Sequence, residues 1–392
     1  MALESDLNPV AILGPAPPDR GGIAHETSHL AEELGRLCPV RYFTFSRPYP
    51  GWLDPRRFSH DPGLAPAPAE PVFDYLSPLS WRRAADRIAS AGASAVIVPW
   101  WTSFWGLPVR ALFRNLARSS PATSRVLLCH NLEDHESGIL QRFLTTGALD
   151  AADAYVVHSE ADRAVLERRY PRRPAAAIPL PALPPRFARE EARRRLGIEG
   201  RLVLFLGLVR RYKGVSTLLE AAPRIASETG ARIAVVGEVF SDARDLEGAA
   251  RRNPAAASIL WHDRYVTEEE MALWLAACDV VALPYREISG SAIAARAIGA
   301  LRPIAASAVG GLKEVVVAGS TGELFEPGDA SGLAAAVSAI LERGFEFYRP
   351  GLERAAEDMA WPRYARRILD FLRSNPSEKN PAGILPRPWI SS

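Results

Sequence analysis

Two stretches of the chain gather residues suited to an anionic ligand. In FLGLVRRYKGVSTLLEAAPRI, Arg210, Arg211 and Lys213 fall between a strand-like run and an amphipathic helix. Cations beside a glycine-flanked turn suit a diphosphate, because charge-assisted hydrogen bonds are stronger than neutral ones and a guanidinium can hold two oxygens at once. The turn is not a P-loop, since no GxxxxGK followed by Ser or Thr is present. In LPYREISGSAIAARAIGALRPIAASAVGGLKEVV, Pro284 and Tyr285 end a strand and Glu287 follows. Ser289, Gly290 and Ser291 then make a small polar turn that opens a helix. Phosphate oxygens fit against such free amides, and a carboxylate accepts hydrogen bonds from sugar hydroxyls.

Three further constellations lie in the first half. The first strand runs into GPAPPDRGGIAHETSHLAEEL, where Gly21 and Gly22 precede a helix whose apolar face includes Ile23, Leu30 and Leu34. Paired glycines admit a ligand close to the backbone, and free N–H groups at a helix start favour an anion. The pattern is not GxGxxG, which removes the main support for a nicotinamide or flavin site. In the same helix His25, Glu26 and His29 match HExxH literally, yet the extended metalloprotease pattern fails after His29 and no acid occurs from Leu34 to Leu53, so zinc is disfavoured. RVLLCHNLEDHE delivers His130 to the end of a strand, where open α/β sheets place ligands, so a functional His130 is expected. VPWWTSFWGLPVRALFRNLAR concentrates Trp100, Trp101, Phe104 and Trp105 after a strand and continues as a basic amphipathic helix with Arg110, Arg114 and Arg118. Such aromatics suit a sugar or lipid acceptor cleft and such a helix an anionic membrane face, while core packing beside a solvated basic face explains both equally.

The elements that must hold these residues are those of an α/β protein. Buried-strand candidates are Val10–Leu13, Ala95–Val98, Arg125–Cys129, Tyr155–Val157, Leu202–Leu206, Arg232–Val236 and Val280–Leu283, alternating with helix-like stretches. The run IPLPALPPRF (178–187) has four prolines and reads as a linker between two similar halves. Residues 47–80 read as an irregular insertion, and WPRYARRILDFLRSN as a helix with Trp361, Tyr364, Ile368 and Phe371 on one face. The 392 residues are 48% hydrophobic and 23% charged, with a formal net charge of +2. A packed interior is therefore expected and a nucleic-acid partner is not. Three cysteines argue against a disulfide framework and for a reducing, cytoplasmic setting. No apolar run approaches the roughly 18 residues needed to span a bilayer.

These blocks together resemble a GT-B glycosyltransferase close to glycosyltransferase family 4. The resemblance covers roughly residues 8–373 and rests on GGI, HNLEDHE, LGLVRRYKGVSTLLEA, ALPYREISGSAIAARAIGALRPIAASAVGGLKEVV and TGELFEPGDASGLAAAV. It implies two Rossmann-like domains with parallel sheets facing across a cleft. Residues 1–180, joined by a terminal helix at 361–374, would form the acceptor-side domain, residues 188–355 the nucleotide-sugar domain, and 375–392 a tail. The implied reaction is retaining transfer of a sugar from a nucleoside diphosphate sugar to the hydroxyl of a glycan, glycolipid or small molecule, with no metal and no further cofactor. In keeping with that, no two aspartates are separated by one residue, so the DxD metal motif is missing. Expected partners are the nucleotide sugar, a glycan or lipid-linked acceptor and a peripheral membrane contact at the inner face.

By motif the resemblance makes His130, Arg210 and Lys213 catalytic: His130 near the transferred sugar, the two cations on the leaving diphosphate. Gly21, Gly22, Glu287, Ser289, Gly290 and Ser291 would bind substrate. There are departures. The family's usual second glutamate falls on Arg296 and its first on Ile288, with Glu287 one residue early. Leu208 stands where an arginine is common, and Ala292 where a glycine is expected. Arginine cannot accept a hydrogen bond, so an alternative is a catalytically silent GT-B scaffold that binds a glycan or a partner transferase.

Overall fold

A computed structural model describes residues 8–49, 65–132 and 138–375. The chain divides into two compact units, the first running to Ile178 and resuming at Trp361, the second spanning Pro179–Ala360. The proline-rich run carries the break, and it is packed rather than loose: Ile178, Leu180 and Ala182 are buried.

In the first unit β1 (Val10–Leu13), α1 (Gly22–Gly35), β2 (Val40–Arg47), β3 (Glu70–Asp74), α2 (Pro78–Ser90) and β4 (Ala95–Trp100) are followed by α3 (Gly106–Ser119) and β5 (Ser124–Cys129). Then come α4 (Ile139–Leu149), β6 (Ala154–Val157), α5 (Glu160–Arg169) and β7 (Ala175–Ala177). All seven strands are parallel, in the order β3-β2-β1-β4-β5-β6-β7. Strands buried on both faces need continuous apolar runs, which β1 and β4 supply at every position. Strands only partly covered do not, which is why β3 and β7 at the edges, and β2 beside β3, escaped a search for such runs. The supposed insertion at 47–80 in fact holds β3 and the first turn of α2, while residues 50–64 lie outside the described ones.

The second unit opens with α6 (Arg189–Leu196), β8 (Leu202–Leu206), α7 (Val215–Thr229), β9 (Arg232–Val236), α8 (Asp245–Arg251) and β10 (Ile259–His262). It continues through α9 (Glu268–Ala277), β11 (Val280–Leu283), α10 (Ala292–Gly299), β12 (Ile304–Ser307), α11 (Leu312–Val315), β13 (Gly322–Phe325), α12 (Ala330–Arg343) and α13 (Phe345–Asp358). Its six strands are parallel in the order β10-β9-β8-β11-β12-β13. The last helix, α14 (Trp361–Ser374), returns to the first unit and buries Trp361, Tyr364, Ala365, Ile368 and Leu369 there; Phe371 is only half-buried.

Both sheets share one doubly wound pattern. Strand order reverses between β1 and β4 in one and between β8 and β11 in the other, the place where loops beyond the strand ends diverge and leave a crevice. Among the described residues no helix is long and apolar enough to cross a membrane. Cys38, Cys129 and Cys278 are buried free thiols.

Candidate active site

At the switch point of the second sheet the chain leaves β8 through Gly207–Lys213 and leaves β11 through Pro284–Ser291. Gly214, at φ 66°, closes the 3₁₀ turn Arg211–Lys213, and a Cβ there would stand 1.8 Å from the Pro284 carbonyl oxygen. Only glycine lets the two loops meet so closely. Arg286 N donates to the Tyr212 oxygen at 2.7 Å and joins them further. Gly310 repeats the device at φ 43°, where a Cβ would lie 1.7 Å from the Ile288 oxygen, and Gly311 N donates to the Ser289 oxygen at 3.1 Å.

These loops put Lys213 in an unusual setting. Its Nζ sits 5.5 Å from the centroid of the buried Tyr285 ring, and among the described residues no ion pair involves it. Burial, and secondly the charge of Arg210, push its pKa down from 10.5 to about 8. Arg210 rests 4.9 Å from the Phe240 ring centroid with Nε 3.5 Å from Asp242 Oδ1, so its charge is partly answered. Arg211 turns aside to an exposed pair with Asp245 at 2.8 Å and does not join them. The structure therefore brings together two of the three basic residues of the motif. Asp242, Phe240 and Tyr285 complete their surroundings; Tyr285 was read only as a strand end, and Asp242 and Phe240 carried no motif of their own.

Glu287 is exposed, and Ser289, Gly290 and Ser291 are half-buried. Ser291 caps α10, its Oγ accepting from Ala294 N at 3.1 Å, so that oxygen is committed to the helix. Arg296, at the position of the missing glutamate, makes a two-pronged ion pair with Glu268 at the start of α9, with Nη2 to Oε1 at 2.9 Å. The side chain is structural in its contacts, bridging two helices.

In the first unit, Gly21 lies at φ 117° and Gly22 begins α1, and a Cβ on either would meet nothing within 4 Å. The open space is a cavity of about 140 Å³ bordered by Arg20, Gly21, Gly22, Phe45, Tyr49 and Trp101. Gly21, at the N-cap of α1, has no side chain to cap the first amides, and no acid lies in the first turn. Ile23 also borders this cavity, and the core face of α1 is instead Ala24, Thr27, Leu30 and Leu34. The aromatic run divides accordingly: Trp100 and Trp105 are core, Phe104 packs against that core with its ring 4.1 Å from Tyr75, and Trp101 reaches the cavity. Arg110 lies along α4 with its guanidinium 5.9 Å from the Phe143 ring, whereas Arg114 and Arg118 are exposed.

His130 leaves β5 with its N–H donated to the Trp100 oxygen at 2.8 Å. Its Nδ1 stands 3.3 Å from His158 Nε2 and 3.7 Å from Glu26 Oε2. Burial, and secondly the neighbouring His158, hold its pKa well below the usual histidine value. Burial likewise lowers His158 to about 4, although its hydrogen bond with the Ile178 oxygen at 3.0 Å pulls the other way. Glu26, His130 and His158 are the one group of three potential metal-ligating residues among the described ones. The literal HExxH pairing is not formed: His29 stacks on Trp361 at 5.2 Å and faces the His25 carbonyl of its own helix at 2.9 Å. Register explains the His130–His158 pair. Leu128 lies opposite Val156, so the residues two further along the parallel strands are His130 and His158. A histidine just past each of two successive strands, in LLCH and YVVH, was the available signal. Glu133, Asp134, His135 and Glu136 lie outside the described residues.

Residues 200–343 match the model of the family described as glycosyl transferases group 1. D-inositol 3-phosphate glycosyltransferase of Xylanimonas cellulosilytica is 32% identical over 190 residues, which cover 47% of this chain and 45% of that protein. Alpha-maltose-1-phosphate synthase of Mycobacterium tuberculosis is 28% identical over 397 residues, covering 91% of this chain and 96% of the relative. The solved structure of Anabaena HepE in complex with UDP-glucose superposes with a TM-score of 0.69 at 15% identity, over 93% of this chain and 99% of that one. The fold is GT-B. The group 1 match thus lies within the second unit of a chain whose fold is GT-B.

Proposed function

We propose that the protein is a retaining, metal-independent glycosyltransferase that moves a sugar from a nucleoside diphosphate sugar to a hydroxyl acceptor. The observation that carries this reading is Lys213: a half-buried cation beside a second cation, over an aromatic ring, with no ion pair among the described residues. A partly buried charge without a counter-charge is unfavourable, and a diphosphate supplies that counter-charge. As the glycosidic bond breaks, negative charge grows on the departing diphosphate, and a cation at about 4 Å contributes roughly 4 kcal/mol of attraction at an effective dielectric near 20. Only the part gained as that charge develops speeds the reaction. Arg210 and Lys213 fill the charge-neutralising role a metal plays elsewhere. The HepE complex, a protein of the same fold bound to UDP-glucose, supports a nucleotide sugar as donor.

Glu287 and the Ser289–Ser291 turn are proposed to receive donor hydroxyls and phosphate, the cavity at Gly21 and Gly22 to take part of the substrate, and His130 to meet the transferred sugar. The first turns of α4 support an acceptor held at a membrane face: Ile139 is 90%, Leu140 68% and Phe143 61% exposed, with Arg142 exposed between them. The test is a panel of nucleotide sugars assayed for turnover, beside a thermal-shift screen of free nucleoside diphosphates. Turnover of one donor, and a raised melting temperature with its diphosphate, are expected; neither signal from any nucleotide would end the proposal. A second reading, a silent scaffold, draws on Arg296, whose pairing with Glu268 leaves no acceptor where the family has a glutamate. It predicts a thermal shift without turnover.

A further inference from the structure

The partners around His130 decide which of its ring nitrogens carries the proton. A backbone carbonyl can only accept, so the Ile178 oxygen at 3.0 Å fixes the proton of neutral His158 on Nδ1. His158 Nε2 then holds a lone pair and can only accept. It lies 3.3 Å from His130 Nδ1, which must donate. Glu26 Oε2, 3.7 Å from the same nitrogen, offers a second oxygen on the same side. A neutral imidazole has a single N–H, so the Nε2 of His130 is left as a lone pair. Burial of both rings favours the neutral forms this requires.

We propose that His158 and Glu26 are positioning residues that lock His130 in its Nδ1–H tautomer, so that His130 meets the transferred sugar through Nε2 as a hydrogen-bond acceptor. The proposal rests on the glycosyltransferase reading for its sugar and on the hydrogen-bond geometry of two buried, neutral rings for its lock. It specifies the donor class further: the sugar presents a free hydroxyl to His130, and an analogue deoxygenated there leaves the lone pair unanswered. A metal held by the same three side chains would instead need a lone pair on His130 Nδ1, so the two uses exclude each other.

The lock is read directly by ¹⁵N NMR of the imidazoles in the full chain at pH 7. A proton-bearing Nδ1 and a bare Nε2 are expected for His130. An Nε2–H tautomer, a charged ring, or a stoichiometric metal in the purified protein overturns it. His158→Phe keeps a ring in place and removes the acceptor, and it is expected to shift the tautomer ratio toward Nε2–H by about tenfold. Glu26→Gln provides a second variant with a smaller shift in the same direction. For the sugar, each singly deoxygenated form of the donor is compared with the parent. In the native protein one analogue is expected to lose about tenfold or more in kcat. In His158→Phe the parent donor is expected to lose about tenfold in kcat with KM within twofold, and the penalty for that analogue to shrink. An equal penalty in both proteins overturns the acceptor role. Absence of turnover with any nucleotide sugar would remove the function and the sugar contact together, while the NMR result still decides the lock.

Discussion

The two units present parallel sheets wound in the same order, and they build opposite chemistry beyond their strand ends. Beyond the ends of β5 and β6 the first unit gathers neutral rings chained by hydrogen bonds, His130 to His158 to the Ile178 carbonyl. Beyond β8 and β11 the second gathers Arg210 and Lys213, two like charges with the Asp242 carboxylate beside Arg210. Topology fixes where a ligand can lie, and a few residues after each strand decide whether that place attracts a hydroxyl or an anion. The first arrangement orders its proton through neighbours inside the protein; the second sets two cations side by side, a repulsion that the proposed diphosphate would relieve.

The largest effect should come from removing one of the two cations. Lys213→Ala is expected to lower turnover about hundredfold or more, in line with deletion of one stabilising group at a developing charge, while the folded structure is retained by circular dichroism and melting. Turnover within a few fold of native would erase the proposed contrast between the units.

Next is backbone architecture. Gly310→Ala sets a Cβ against the Ile288 carbonyl at a positive φ and is expected to cost about 1–3 kcal/mol in denaturant unfolding. It should also weaken nucleotide binding, because the Ser289 turn depends on that approach. Unchanged stability would show that the loops are not held by this contact.

A third effect follows from titration. Lys213 has a folded pKa of about 8 against 10.5 unfolded, so between those values the unfolded chain binds more protons and this residue makes stability rise with pH. Anion affinity moves the other way, falling as pH climbs through about 8 and the charge is lost. Binding of a free nucleoside diphosphate at pH 7 and pH 9 should therefore differ by several fold in native protein. Lys213→Arg, always charged, should flatten the profile. A native profile as flat as the variant's would show that Lys213 does not face the anion.

The smallest effect on catalysis is expected at Arg296→Met. It leaves Glu268 partly buried without its partner and should lower the melting temperature, with turnover of the folded protein within about twofold. A large loss of turnover without a loss of stability would return Arg296 to the chemistry.

The sequence nominates candidate residues more readily in the second unit than in the first. Arg210, Lys213 and Glu287 sit within short blocks next to strand ends, so local spacing is enough to nominate them. Glu26, His130 and His158 are far apart in the chain and meet only through parallel register and the packing of α1, which no local pattern encodes. HExxH even misdirects, since its glutamate is the member that reaches the cluster while its histidines turn elsewhere. Central strands are legible because burial on both faces demands unbroken apolar runs. β10 and β13 are not, because Ile259–His262 and the residues Glu323 and Leu324 are only half-buried. β12 is fully buried, but its IAAS is too short and alanine-rich to announce a strand.

The return of α14 to the first unit bears on how the protein is made. Trp361 stacks on His29 and Tyr364 lies 6.4 Å from His158, so the cover over α1 is encoded more than 300 residues after the helix it protects. During synthesis the second unit can emerge whole while the first still waits for its final helix. A ribosome that stalls short of Trp361 thus leaves an amino-terminal unit with an apolar seam open to chaperones and proteases.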